Sequence, residues 1–190
     1  MDGQLQAIID DLESARARLH ALWSSVSRDA WHARPGAGRW SAGDGVAHLN
    51  LGSEAILPLL RTAVAAAGAS APGVKPAYRR DPLGWLISKA VAPSSPLKMR
   101  SATAFVPTAE QSPEVALAEF DRLQDALVAC IRAADGLAID RVTVVSPFHD
   151  CVQYNLYSAF TLVARHQHRH LLQAERAAVE CVPLTSALAV

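Results

Sequence analysis

The feature that most constrains the fold is a long apolar stripe close to the N-terminus. Between residues 4 and 27, apolar side chains recur at alternating steps of four and three residues. This spacing matches the turn of an α-helix and places the side chains on one face. They are Ile8, Leu12, Ala15, Leu19, Leu22 and Val26. The stripe therefore predicts a long amphipathic helix over residues 4–27.

A second long helix is predicted over residues 41–66. Ser41 is a good N-cap, and Asp44 follows three residues later, where a negative charge favours the start of a helix. Most of the segment is apolar or small, so we expect the helix to be largely buried. Pro58 removes one backbone hydrogen bond inside it and is expected to bend it.

Two more long helices are predicted in the second half of the chain. Ser112 caps a helix over 113–134 that opens with a proline, and the last helix covers 153–179. The connection over 68–112 is long and rich in proline, with one short helix predicted at 81–90. Four long helices joined by one long connection predict an all-α fold, a four-helix bundle with a crossover. The whole chain, residues 1–190, is expected to form a single domain.

The amino-acid composition argues against some classes of binding partner. The 18 basic residues balance the 18 acidic ones, which argues against a nucleic-acid partner or an anionic membrane surface. No apolar run reaches the length of about 18 residues that a membrane-spanning helix needs. The N-terminus lacks the pattern of a secretory signal, so we expect a cytoplasmic protein. Cys130, Cys151 and Cys181 show no CxxC spacing and are predicted to be reduced thiols.

Three of the seven histidines lie in the stretch "HQHRH" of the last predicted helix. At about 100° per residue, His166 and His170 are about 40° apart, at one margin of the apolar face. His168 lies about 160° from each of them, on the polar side, and is expected to be solvated. Imidazoles four residues apart can converge on one metal ion, although the same spacing also arises by chance.

A third histidine, His48, is predicted to face the interior from the second helix, opposite Asn50, Glu54 and Arg61. A lone buried histidine is more often a hydrogen-bonded core residue than a metal ligand. The interior of a helical bundle is nevertheless where facing helices assemble metal sites. His48, His166 and His170 would form a site with only three protein ligands. Sites of this open kind are more often catalytic than structural.

Other polar residues are weaker candidates. His149 lies just before the last helix and is either near the mouth of the site or a solvated loop residue, and the second is the simpler interpretation. Arg165 and Arg169 can bind a substrate carboxylate, but the helical wheel turns them outward and favours a solvated face. His20 and His32 have no partner motif. No residue is assigned as a catalytic acid or base.

Two motifs resemble the hallmarks of a known family. "WSAGDGVAHL" at residues 40–49 and "HQHRHLLQ" at residues 166–173 are similar to those of the DinB-like (damage-inducible) superfamily. "KMRSATAFVP" at 98–107 and "SPF" at 146–148 fit the usual layout of that family. The similarity covers nearly the whole chain.

The resemblance implies a four-helix bundle, often a homodimer, that holds zinc or nickel. It maps the three metal ligands of the family onto His48, His166 and His170. Some members of the family are transferases or isomerases that use a low-molecular-weight thiol such as bacillithiol, mycothiol or glutathione. Many others have no known activity.

Two functions of different classes follow for this sequence. The first is a metal-dependent enzyme acting on a small-molecule substrate, either a thiol-dependent transferase or isomerase or a hydrolase that uses water as nucleophile. The second is a non-catalytic metal- or ligand-binding bundle in which the ion braces the helices. Three ligands rather than four favour the first.

Overall fold

The computed structural model describes residues 1–69, 77–97 and 101–181. This part of the chain is mainly helical, as the sequence predicts, with one small β-hairpin. The helices are α1 (Gly3–Ser25), α2 (Arg28–His32), α3 (Ala42–Gly68), α4 (Pro82–Ala90), α5 (Pro113–Ala133) and α6 (Leu156–Glu180). The strands are β1 (Thr143–Ser146) and β2 (His149–Asn155). Residues 98–100, which open the "KMRSATAFVP" motif, lie outside the described residues.

Side-chain caps set the starts of the helices. Ser41 and Asp44 form a reciprocal capping box at the start of α3, in which each side chain accepts a hydrogen bond from the backbone N–H of the other. Ser112 caps α5 in the same position that the sequence predicts. Pro58 lies inside α3. The predicted bounds of these helices agree with the observed ones to within about two residues.

Two local features refine the sequence prediction. The last helix begins at Leu156 rather than at 153, because residues 153–155 pair with β1 as the end of an antiparallel hairpin. Asn155 then caps α6 by accepting a hydrogen bond from the backbone of Ser158. Between the first two long helices, where no helix is predicted, Ser27 caps the short helix α2, which buries Trp31.

The N-termini of α4 and α6 are locked together. Asp81 caps α4 and also accepts hydrogen bonds from the backbone N–H of Asn155 and the hydroxyl of Ser158. Gly84 allows this contact, because a Cβ at its position would lie only 2.2 Å from the Ser158 Oγ. The short helix of the crossover is thereby fixed against α6, the helix that carries two of the candidate ligands.

The four long helices pack in a ring. Helix α3 contacts α5 and α6, and α1 contacts the same two helices from the other side. The apolar core inside this ring is divided into two clusters. Buried polar side chains lie between the clusters on the three later long helices, and they are His48, Asn50, Ser53, Gln124 and Gln167. The middle of the bundle is therefore polar, and the candidate metal ligands lie in this layer.

Gln124 and Gln167 form the centre of the polar layer. Each amide nitrogen donates to the amide oxygen of the other at 2.8 Å, and Gln124 Nε2 also donates to the backbone oxygen of Leu12 at 2.7 Å. Both side chains are almost completely buried. The pair satisfies two amides that would otherwise be costly to bury. It also connects α1, α5 and α6 beside His166.

We predict that this amide pair is strongly coupled. Gln124→Leu leaves the Gln167 amide buried without a partner and is expected to lower the free energy of unfolding by about 2–3 kcal/mol. Gln124→Leu combined with Gln167→Leu should recover most of this loss, because both amides are then removed. Urea denaturation measures the difference, and Gln6→Leu on the exposed face of α1 is the control. Losses that simply add in the double variant would refute the coupling.

Two further sequence predictions concern membrane-spanning helices and the state of the cysteines. Within the described ranges, none of the helices combines the length and the apolar character required to cross a bilayer. Cys130, Cys151 and Cys181 are all free thiols, as predicted. Burial raises the pKa of the Cys130 thiol to about 11, so this cysteine is a poor nucleophile.

Candidate metal centre

Helices α3 and α6 bring three histidines together. The ring nitrogens that His48, His166 and His170 offer all lie within 4.8 Å of one another. The centroid of the His170 ring is 4.4 Å from that of His48 and 4.4 Å from that of His166. The predicted convergence of these residues is therefore observed. His48 is only 2% exposed, as expected for an inward-facing residue of α3.

Small residues of α3 allow this close approach. Gly45 and Gly52 lie three residues before and four residues after His48, on the same side of the helix. A Cβ at Gly45 would lie 3.5 Å from the Cβ of Ala174, and one at Gly52 would lie 3.9 Å from the Cε1 of His166. The glycines thus place the backbone of α3 directly against α6, which brings the imidazoles of the two helices into range of one ion.

A backbone carbonyl fixes the orientation of His48. Its Nδ1 lies 2.7 Å from the oxygen of Phe105, in a 3-10 turn of the crossover. Since a carbonyl only accepts, Nδ1 carries the proton and donates it, and the Nε2 lone pair is left free. That Nε2 lies 3.3 Å from the Nε2 of His166. A carbonyl behind a ligating imidazole is the usual device that sets its tautomer in metal sites.

Burial keeps the cluster uncharged. Removal from water lowers the pKa of His166 to about 3, and the charges of His48 and Arg169 add to this effect. Burial likewise lowers the pKa of His170 to about 2, helped by the other two imidazoles. For His48, burial lowers the pKa and the hydrogen bond to Phe105 opposes the shift. Neutral imidazole is the form that binds a metal ion.

The donor set fits a cation. Three neutral imidazoles face one another, and each has one ring nitrogen with a free lone pair. Few hydrogen-bond donors are available to these lone pairs. The Nδ1 of His170 is buried and has no hydrogen-bond partner. A buried polar atom without a partner costs free energy, and a divalent ion among the rings would use these lone pairs. No cysteine or carboxylate of the described residues belongs to the cluster, so it offers three protein ligands.

Aromatic rings surround the cluster. The Trp40 ring lies 4.9 Å from that of His48 and 6.0 Å from that of His170. On another side, the Phe148 ring lies 5.6 Å from that of His166 and 4.4 Å from that of Phe105. Phe148 comes from the tip of the β-hairpin. The cluster therefore lies in an apolar shell, while His166 and His170 keep part of their surface exposed.

The other histidines lie away from the cluster. His168 points to α1, where its Nε2 lies 3.0 Å from the backbone oxygen of Asp11, so it is half-buried rather than fully solvated. His149 is exposed at the start of β2, as the simpler interpretation expected. His20 and His32 pair with Asp121 and Glu110 at the surface.

The expectation of a solvated arginine face on α6 is wrong. Arg165 donates to the backbone oxygen of Ser88 in α4 at 3.2 Å. Arg169 donates to the backbone oxygens of Ala90, Ala92, Ser95 and Leu97. A helical wheel of α6 cannot reveal these contacts, because it does not show which segment packs over that face. The two arginines hold the crossover against α6 and do not form a solvated face.

Glu54 is on the side of α3 away from the histidines, as the wheel predicted. It lines a surface cleft of about 690 Å³ between α3 and α5, together with Glu119 and Arg122. Burial and a hydrogen bond with Glu119 raise the pKa of Glu54. None of the three histidines lines this cleft, so Glu54 has no direct role in their chemistry.

Sequence reasoning missed the residues that surround the ligands. Phe105 contributes its backbone oxygen. Every residue has this atom, so the residue type gives no signal for the role. Phe148 is part of the "SPF" motif. Residue type alone nevertheless favours its neighbour His149 as the candidate, because histidine is the usual metal ligand. Trp40 also belongs to a motif, but its contact with two imidazoles depends on how the chain enters α3.

Three neutral imidazoles between two helices of a bundle define a class of helical proteins with a potential metal site between the helices. The sequence profile of the DinB superfamily matches residues 11–174, and the chain belongs to this superfamily. The resemblance inferred from the two motifs is thereby confirmed. Neither a curated protein nor a solved structure matches the chain.

Proposed function

We propose that His48, His166 and His170 hold a divalent metal ion, zinc or nickel, and that the protein is a metal-dependent enzyme for a small-molecule substrate. The observation that carries the proposal is the cluster of three neutral ring nitrogens within 4.8 Å, with the tautomer of His48 set by Phe105. Both metals suit imidazole ligands. Membership of the DinB superfamily supports the same assignment.

Three protein ligands favour catalysis over a purely structural role, because positions remain for a reactant. Such an ion supplies Lewis acidity, which lowers the pKa of a water or thiol that it binds. The chain contributes the neutral ligands, the fixed tautomer of His48 and an apolar shell. His166 and His170 are half-buried rather than fully enclosed, so a small molecule can approach them.

The nucleophile comes from outside the chain. Within the described residues, no cysteine joins the histidine cluster, and Cys130 is buried with a raised pKa. We therefore propose either a low-molecular-weight thiol, which makes the protein a thiol-dependent transferase or isomerase, or water, which makes it a hydrolase. A thiol transferase would form a carbon–sulfur bond to an electrophilic substrate while the bond from that carbon to the leaving group breaks. The leaving group would take the electron pair of the broken bond, and the thiol proton would pass to solvent or to the leaving group.

Metal analysis followed by an electrophile screen tests this function. The purified protein should contain close to one zinc or nickel ion per chain. Electrophiles are then offered with bacillithiol, mycothiol, glutathione or no thiol, before and after chelation. Consumption that requires the metal supports an enzyme, and its dependence on thiol separates a transferase from a hydrolase. Metal that raises the melting temperature without any turnover would favour the non-catalytic brace instead.

We also propose a cytoplasmic homodimer. The large apolar side chains of the α1 stripe from Ile8 to Leu22 are buried within the chain, so they offer no surface to a second copy. Exposed apolar surface lies instead on α4, where Leu83, Trp85 and Leu86 are 39%, 50% and 59% exposed. Helix α4 is therefore the face that best supports a second copy.

Light scattering should give a mass of twice the 20.3 kDa of one chain at micromolar concentration. Trp85→Ala combined with Leu86→Ala should shift the protein toward the monomer, because these changes remove the exposed apolar area of α4. Leu59→Ala, which truncates a 37% exposed leucine on α3, is the matched control. A monomeric mass for the unmodified protein would exclude the dimer.

A further inference from the structure

The aromatic rings around the histidines point to the kind of substrate that the site admits. His48 is almost fully buried, whereas His166 and His170 are half-buried. A molecule from solvent must therefore reach the cluster over the two histidines of α6. Trp40 lies beside His170, with 6.0 Å between the ring centroids, and Phe148 lies beside His166, with 5.6 Å between the ring centroids.

Phe148 is held at this opening by specific contacts. It follows Pro147 at the tip of the hairpin, where the register of β1 and β2 shifts between Val145 and Ser146. Its backbone N–H donates to the hydroxyl of Ser146 at 3.3 Å. Its ring packs against Phe105, and its Cζ lies only 3.5 Å from the position that a Cβ on Gly52 would occupy. Phe148 as a whole nevertheless remains 38% exposed, so an apolar residue faces solvent next to a histidine.

We infer that Trp40 and Phe148 form an aromatic mouth, which selects substrates with a planar apolar group next to the reacting atom. This inference rests on the proposed function, since it describes what reaches the same three histidines. Aromatic rings prefer to pack offset or edge-on against other rings, at the spacings found here. A planar apolar group that lies on Phe148 would cover its exposed apolar surface.

Phe148 is a specificity-determining residue in this arrangement, and Trp40 adds a second aromatic ring next to the ligands. Phe105 supports both the site and the mouth, since its carbonyl orients His48 while its ring packs on Phe148. The hairpin is therefore more than a connection between α5 and α6. It carries the side chain that a substrate meets first.

The test measures binding of two small probes to the zinc-loaded full-length protein by calorimetry. Benzohydroxamate and acetohydroxamate offer the same metal-binding group, but only the first carries a ring. Unmodified protein is expected to bind benzohydroxamate about tenfold more tightly, in line with the stabilisation from packing one aromatic ring on others. Phe148→Ala should reduce this preference to about threefold or less, with little change in the affinity for acetohydroxamate.

Conservative variants distinguish a loss of probe preference from a loss of folding. Phe148→Tyr retains the ring and should keep the preference, while Phe148→Leu should lose much of it. Val145→Ala changes another exposed residue of the hairpin and should behave as the unmodified protein does. Equal affinity for the two probes in the unmodified protein, or an unchanged preference in Phe148→Ala, would overturn the aromatic mouth alone. If the zinc-loaded protein bound neither probe, the open metal site and the mouth would both be overturned. A protein that takes up no zinc would overturn the metal site and the mouth together.

Discussion

Alanine at His48, His166 or His170 should remove most of the bound zinc or nickel, whereas alanine at His168 should leave it nearly unchanged. Each of the first three residues supplies one ring nitrogen to the cluster. Loss of a residue that merely orients a ligand lowers metal affinity by about 10–100-fold, so loss of a ligand itself should cost at least about 100-fold. His168 points instead to the backbone of Asp11 in α1.

Metal content after dialysis against a weak chelator measures this effect directly. His168→Ala is a matched control, because it removes an imidazole from the same helix, two residues from each ligand of α6. Equal loss of metal in all four variants would mean that the ion is not bound by the cluster. Full metal content in His48→Ala would show that α3 supplies no ligand, and the site would then lack its third protein donor.

The sequence predicts this cluster because it depends on periodicity. His166 and His170 are one helical turn apart, so any helix that includes both places them on one face. The inward direction of His48 follows from the polar residues on the opposite side of α3. The remaining requirement is that α3 and α6 are neighbours in the bundle. The motifs of the DinB superfamily supply that information, since periodicity alone does not determine which helices are adjacent.

The surroundings of the cluster could not be predicted in the same way. The hydrogen bond from His48 to Phe105 links residues 57 positions apart, and the acceptor is a backbone atom. Arg169 was expected to be solvated because no pattern shows that the crossover passes over it. The hairpin before α6 is short, and its pairing with a register shift depends on tertiary contacts. Each of these features arises where irregular chain meets a helix, and local sequence patterns say little about such contacts.

The polar layer has a consequence for stability. The three histidines lie between the two apolar clusters of the core, beside the Gln124–Gln167 pair. The glutamines satisfy each other, but the histidines leave Nδ1 of His170 without a partner. Without a bound ion, the centre of the bundle therefore holds polar groups that are only partly satisfied. An ion at the histidines would stabilise the fold as well as supply chemistry.

Mild acid should destabilise the metal-free protein from about pH 6.5 downward. In the unfolded chain the imidazoles have a pKa near 6.5 and take up protons below it. In the folded chain, burial lowers the pKa of His166 to about 3 and that of His170 to about 2, so both stay neutral. The unfolded state then binds more protons, and the free energy of unfolding falls as the pH falls. Each histidine contributes up to about 1.4 kcal/mol per pH unit.

Urea denaturation of the chelated protein between pH 7.5 and 5 measures this slope. Alanine at both His166 and His170 should reduce the change in the free energy of unfolding by up to about 2.7 kcal/mol per pH unit. His168→Ala should leave this pH dependence unchanged. A wild-type slope in the double variant would contradict the lowered pKa values. The ordinary pKa of histidine would place proton competition for the metal near pH 6.5. Because the folded imidazoles stay neutral there, acid should release the metal by unfolding the protein, and the two transitions should coincide.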